Sequence, residues 1–235
     1  MMRQLRKVAD LKGYRLHATD GEIGKLREVY FDDHRWAVRY LVVDTGSWLL
    51  ERPVLIAAGA VTGVDEEEKT IAVRLTREEV NHSPPSEAAK PVSRHYEEEN
   101  EPYYDPLRRV GPDAVEAEAV VDLPPDPHLR SSVEIAGYRI HADDGEFGHV
   151  LDLIVDDQDW VVRYLEADTR HWLPGKKVLL APAWVRSVDW AETAVRVGLT
   201  REAIKSAPAY DPSKAIAREY EIRLFQHYGK TIAPQ

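Results

Sequence analysis

Two aspartates in this sequence follow a strand-like run and precede a threonine. The first closes Leu41-Val42-Val43-Asp44-Thr45-Gly46-Ser47, and its counterpart opens Asp168-Thr169-Arg170-His171. Two facing carboxylates that share one proton can activate water for hydrolysis, so a repeated aspartate is worth weighing as chemistry. That chemistry needs the two loops to approach closely, which a glycine after Asp-Thr permits. The second copy carries Arg170 where the first has Gly46. A cation beside the carboxylate favours its ionised form and works against a shared proton. The structural assignment is that Asp44 and Asp168 end strands and accept bonds from turn amides.

The Asp-Thr-Gly-Ser run resembles the active-site signature of aspartic proteases. Neither copy has the later apolar-apolar-glycine segment of such a lobe, so this hydrolase reading ranks below those that follow and no catalytic residue is assigned. Other chemistries have less support. The chain has no cysteine, which excludes disulfides, thiolate catalysis and cysteine-held metals. No histidine or carboxylate pair has metal-ligand spacing, and nothing in the order of Ser, His and Asp resembles a nucleophile elbow. Gly21, Gly24, Gly145 and Gly148 do not lead from a strand into a helix, so no phosphate loop is implied. No metal and no cofactor is therefore expected, and the chain is not expected to be an enzyme.

The remaining candidates are aromatic or basic. Trp36 and Trp160 read as barrel-core or rim residues. Trp48 and Trp172 fall in loops and are candidate partner-binding residues together with Asp44 and Asp168. His17 and His141 recur beside Arg15 and Arg139 and read as a solvated strand face.

The elements that must position these residues occur twice. Gly13-Tyr14-Arg15-Leu16-His17-Ala18 falls on Gly137-Tyr138-Arg139-Ile140-His141-Ala142, 124 positions on, and Asp20-Gly21-Glu22-Ile23-Gly24 falls on Asp144-Gly145-Glu146-Phe147-Gly148. The register holds through Leu75-Thr76-Arg77-Glu78 on Leu199-Thr200-Arg201-Glu202, and on to Arg94, Tyr96, Glu97 and Tyr104 on Arg218, Tyr220, Glu221 and Tyr228. Two modules of about 100 residues follow.

Within a module, Tyr14–Ala18 alternates large and polar residues and Asp20-Gly21 supplies a tight turn. Ile23–Phe31 returns, Trp36–Val43 reads as a buried strand, Val54–Ala57 is short and apolar, and Val61–Val64 with Thr70–Leu75 makes a last hairpin. Thr76 and Thr200 stand where helix caps belong. Six short strands without room for crossover helices predict an all-β fold of two tandem small antiparallel barrels with short helical tails. A C-terminal helix is predicted within Ser213–Tyr228, on the spacing of Ile216, Tyr220, Ile222, Leu224 and Phe225. The expected division is residues 1–106, a proline-rich linker at 107–131, and residues 132–235.

Composition sets outer bounds. The 235 residues are 43% hydrophobic and 31% charged, ordinary for a globular protein, and the 15 prolines concentrate between residues 84 and 127. A net charge of −10 argues against binding bare nucleic acid. Met1–Asp10 lacks the apolar run of a signal peptide, and no stretch approaches the roughly 20 apolar residues that cross a bilayer. A cytoplasmic location without membrane insertion is expected.

Asp-Gly-Glu-x-Gly, then an aromatic-x-Val-Arg-Tyr-Leu strand, an aspartate, a Trp-Leu loop and Leu-Thr-Arg-Glu, in that order and twice, resembles the PRC-barrel family over residues 8–84 and 132–211. The tail Ala207-Pro208-Ala209-Tyr210-Asp211 is similar to tandem PRC-barrel proteins of bacteria. The resemblance implies small β-barrels used as interaction modules, and hence a binding or scaffold protein with a protein partner, whose modules pack on each other or homodimerise. Two other roles follow from it: an accessory factor like the reaction-centre H subunit at the cytoplasmic face of a membrane complex, and a ribosome-maturation factor like RimM.

Overall fold

The computed structural model describes residues 4–49, 53–83, 128–169 and 176–230. The chain divides into two compact units, the first Ala9–Val133 and the second Met1–Val8 together with Glu134–Gln235. The expected contiguous modules, 1–106 and 132–235, differ from this at their leading ends. Strand β1 (Leu5–Lys7) belongs to the second unit and runs directly into α1 (Val8–Leu11), while the first unit is joined by a strand from residues 129–131. Residues 84–127, which hold the tail of the first module and most of the expected linker, lie outside the described residues.

The first unit starts with β2 (Arg15–Ala18), whose residues alternate between partly exposed and buried, as one solvated face requires. A turn at Gly21, φ +149°, leads into the long β3 (Gly21–Asp32). The return to β4 (Ala37–Asp44) is set by Asp32, whose carboxylate accepts from the amides of His34 and Arg35 at 2.9 and 2.8 Å. Trp36 closes this turn at φ +55° and stacks on Phe31, ring centroids 5.7 Å apart. β5 (Pro53–Ala57) follows. A one-turn 3-10 helix at Ala58–Ala60 then carries the chain to the hairpin of β6 (Val61–Asp65) and β7 (Thr70–Val73). Helix α2 (Arg77–Asn81) begins with a complete capping box, Thr76 and Glu79 each bonding the other's backbone amide. β8 (Leu129–Ser131) pairs with β3.

The second unit repeats this plan. After α3 (Ser132–Ile135), within which the unit begins, come β9 (Arg139–Ala142), β10 (Gly145–Asp156), β11 (Val162–Asp168), β12 (Lys177–Leu180), β13 (Val185–Asp189) and β14 (Ala194–Val197). Helix α4 (Arg201–Ser206) is capped by Thr200, and α5 (Arg218–His227) is the predicted C-terminal helix.

Among the described residues each unit holds a seven-stranded sheet, ordered β5-β4-β3-β2-β7-β6 with β8 on β3, and β12-β11-β10-β9-β14-β13 with β1 on β10. The expectation of closed antiparallel barrels is corrected in two respects. The outermost strands of each sheet share no ladder, so the sheets are open. β2 runs parallel to β7, and β9 to β14. The 3-10 turn is the physical reason. It ends the hairpin alternation after β5 and restarts the chain at the opposite flank, so the final hairpin meets β2 in parallel sense.

Each unit has its own core, filled at equivalent positions. Leu16, Ile23, Leu41 and Ile71 in the first unit, and Ile140, Phe147, Leu165 and Val195 in the second, are essentially inaccessible. Among the described residues no helix is long and apolar enough to cross a membrane.

Candidate functional site

Asp44 and Asp168 end equivalent strands in different units, and their side chains have unlike surroundings. The Asp44 carboxylate is 55% exposed with the Arg27 guanidinium 3.9 Å away, whereas residue Asp168 is buried. Their backbones share one role. On both long strands a bulge inserts an extra residue, Ile23 opposite Leu16-His17 and Phe147 opposite Ile140-His141, which drives that side chain into the core. The next residue is a glycine pressed against the neighbouring strand. A Cβ on Gly24 would lie 2.2 Å from the Asp44 carbonyl oxygen, and one on Gly148 would lie 1.9 Å from that of Asp168. Gly46 differs, since a Cβ there meets nothing within 4 Å and its φ of +62° is what favours glycine. The small residue of Asp-Thr-Gly thus serves a turn.

Of the candidate loop aromatics, Trp48 sits in the 3-10 turn Gly46–Leu49, its side chain outside the described residues. Trp172 lies outside them altogether, with Arg170 and His171. His17 Nε2 stands 4.0 Å from a carboxylate oxygen of Glu22 on a partly exposed face.

Two constellations were not singled out in the sequence. In the first, the Asp-Gly turn meets the start of the following helix. Asp20 accepts from the Arg77 amide at 2.7 Å and Asp144 from the Arg201 amide at 2.7 Å. Bonding from the Arg201 amide holds the Asp144 carboxyl below its ordinary value. The arginine side chains lie over the turn glycines, 3.3 Å from a Cβ built on Gly21 and 3.4 Å from one on Gly145. The signal was available, because Asp-Gly-Glu and Leu-Thr-Arg-Glu recur together, 57 residues separating aspartate from arginine in each copy.

The second constellation holds the leading strands. In the second unit, Arg6 Nε lies 2.8 Å from Asp157, and the fully buried Glu166 is flanked by Lys7 at 3.2 Å and Lys177 at 2.7 Å. In the first unit, Arg130 Nε lies 3.0 Å from Asp33, His128 Nδ1 is 3.0 Å from the same carboxylate, and the Ser131 hydroxyl donates to Glu28. The preceding aspartate of each Asp-Asp turn faces the next strand, Asp32 toward Arg39 at 3.6 Å and Asp156 toward Arg163 at 3.1 Å. Leu5-Arg6 and Leu129-Arg130 are 124 positions apart, so the repeat extends upstream of the glycine-tyrosine signature that reveals it. Two matching residues are too short a run to announce themselves.

Chemically these arrangements fix backbone and cap helices. Among the described residues no group of three His, Cys, Asp or Glu side chains converges on a metal-sized site. No curated protein matches the chain. The model of the PRC-barrel domain matches residues 4–80, which takes in β1, the bulged hairpin, the strands β4 to β7 and the capped start of α2. Residues 4–80 are a PRC-barrel domain.

Proposed function

We propose that this protein is a non-catalytic tandem PRC-barrel protein that works as a binding or scaffold component through contacts with a protein partner. The carrying observation is that the repeated polar signature is spent on architecture. Asp20 and Asp144 cap helices, Gly24 and Gly148 make room for the carbonyls of Asp44 and Asp168, and Asp32 and Asp156 order turns. A hydrolytic dyad would need two carboxylates in matched surroundings, and Asp44 is solvated where Asp168 is buried. Support also comes from the PRC-barrel domain at residues 4–80. The partner surface we assign is the pair of Trp-Leu loops after β4 and β11, with Trp48 and Trp172 as its proposed anchors. Of the two aspartates that precede these loops, Asp44 is exposed and can join the surface, whereas Asp168 is buried and stays a backbone residue.

The test uses the full chain as bait and follows a reproducible partner through quantitative recovery. Truncating a central aromatic at an interface costs about 2 kcal/mol or more, so Trp48→Ala or Trp172→Ala should lower affinity at least about tenfold while the circular dichroism spectrum is kept. Unchanged recovery with both variants sinks the loop assignment. Incubation with an unfolded protein at acidic pH tests the non-catalytic part. Inhibitor-sensitive cleavage that disappears in Asp44→Asn overturns it.

A further inference from the structure

We propose that the sheet edge covered by β1 on β10, and its equivalent covered by β8 on β3, are recognition surfaces for the leading strand of a PRC-type repeat, and that a second copy of this chain can supply that strand. The PRC-barrel match begins at residue 4, so β1 is part of that domain in sequence. In the fold, however, β1 is a strand of the second unit's sheet, in the register Leu5↔Asp156, Arg6↔Val155 and Lys7↔Ile154. The converse holds for β8, which stands at the same place ahead of the second repeat and pairs Tyr30↔Ser131, Phe31↔Arg130 and Asp32↔Leu129 in the first unit's sheet. Each repeat lends its leading strand to the sheet of the other.

That reciprocity is the pattern of a strand-exchanged pair of identical domains, here written into one chain. The recognition chemistry is the same on both edges. Arg6 and Asp157 have side chains 9% and 4% exposed, and Arg130 and Asp33 are 3% and 11% exposed. Both are nearly desolvated charge pairs, for which like charges would be strongly unfavourable. Main-chain bonding adds affinity without regard to which chain the strand comes from. One element distinguishes the edges. Lys7 faces the buried Glu166, whereas Ser131 serves Glu28, so β1 is the better fit for β10. A β1 strand from a second copy brings the same Leu, Arg and Lys to the same register. Within one chain the tether supplies an effective strand concentration on the order of millimolar, so exchange within the chain prevails in dilute solution.

The experiment is complementation of a charge reversal between full-length chains. Arg6→Asp on one chain sets two acids against each other, and Asp157→Arg on another sets two guanidiniums against each other. In a heterodimer that exchanges β1, the aspartate introduced at position 6 of one chain meets the arginine introduced at position 157 of the other. The native Arg6 and Asp157 that remain also meet, so both repulsions are relieved. Each variant alone should refold at the chain mass of 26.7 kDa with a lowered Tm. The two unfolded together and co-refolded should give, as the main species by native mass spectrometry, a one-to-one dimer of twice that mass. The chain carrying both reversals should recover its Tm and stay at the single-chain mass. A co-refolded mixture holding only single-chain species overturns the proposal. Wild-type protein supplies the second measurement, which does not depend on the variants folding. Refolded at about 1 mM or above, where strands of other copies match the tether, it should yield a dimer that persists on dilution. Single-chain mass at every refolding concentration also overturns the proposal.

Discussion

A methyl group on Gly24 would overlap the carbonyl oxygen of Asp44, and one on Gly148 that of Asp168. Neither neighbour can retreat, because both carbonyls belong to strands paired on two sides. Gly24→Ala and Gly148→Ala should each lower unfolding free energy by about 2–4 kcal/mol, the sum of overpacking and backbone distortion. Gly59→Ala, where a Cβ meets nothing within 4 Å, should change it by no more than about 0.5 kcal/mol. Urea unfolding of the three variants checks the ordering, and equal effects would refute the close-approach argument. The sequence showed both glycines as part of a repeated motif. It did not show why they were glycine, because the atom each avoids lies 20 residues away on the next strand. Asp44 shows the same difference of scale, since the run Leu41–Ser47 was legible in the sequence, whereas only the fold sets its half-exposed carboxylate 3.9 Å from Arg27.

At the scale of elements, hairpins were legible and docking was not. Alternation located β2 through β7, and threonine located both helix caps, because these signals are local. The three-residue strands β1 and β8 are too short to carry a period. Helix α5 shows the same limit. Its extent was readable within Ser213–Tyr228, yet Ile222 is 40% exposed while Glu221 is buried, where its carboxylate accepts from the Tyr164 hydroxyl at 2.8 Å. What fastens the helix is an aromatic cluster. Trp184 packs against Phe225 at 5.2 Å and Tyr228 at 4.6 Å between centroids. Trp184→Ala should therefore cost about 3–5 kcal/mol. Hydrogen-exchange protection in that variant should fall first in Arg218–His227, and a loss spread evenly over the second unit would argue against a local fastening role.

For the molecule as a whole, ionisation sets the pH range of stability. The Ser213 hydroxyl, with Lys214 and the Ser213 amide, holds Asp211 down to about 2, while the Thr76 amide and hydroxyl lower Glu79 and the Arg201 amide lowers Asp144. A carboxylate depressed in the folded state stabilises above its unfolded value, and that contribution is lost as pH falls through the folded one. Burial raises the Tyr220 and Tyr228 hydroxyls above their ordinary 10.0, so their contribution is complete below pH 10 and disappears as pH rises beyond it. Tm should thus be level near neutrality, drop from about pH 4 toward 2, and drop again above about pH 10. Asp211→Asn should flatten the acid limb and Tyr228→Phe the alkaline one. By phenolate absorbance, Tyr220 and Tyr228 should ionise above the ordinary tyrosine range in the folded protein. Coincident limbs in variants and wild type would contradict these assignments. The linear pattern specified two like modules, their hairpins, their turn glycines and their helix caps, since each depends on residues close in sequence or repeated at a fixed interval. Folding decided which sheet each leading strand completes, that the sheets stay open and mixed, and that the carbonyls of Asp44 and Asp168 lie against Gly24 and Gly148. Those outcomes depend on edges, carbonyls and charges that meet only when distant segments come together. A strand such as Leu5–Lys7 fits either edge by its composition, and its partner is chosen by Asp157 and Glu166, about 150 residues further along the chain.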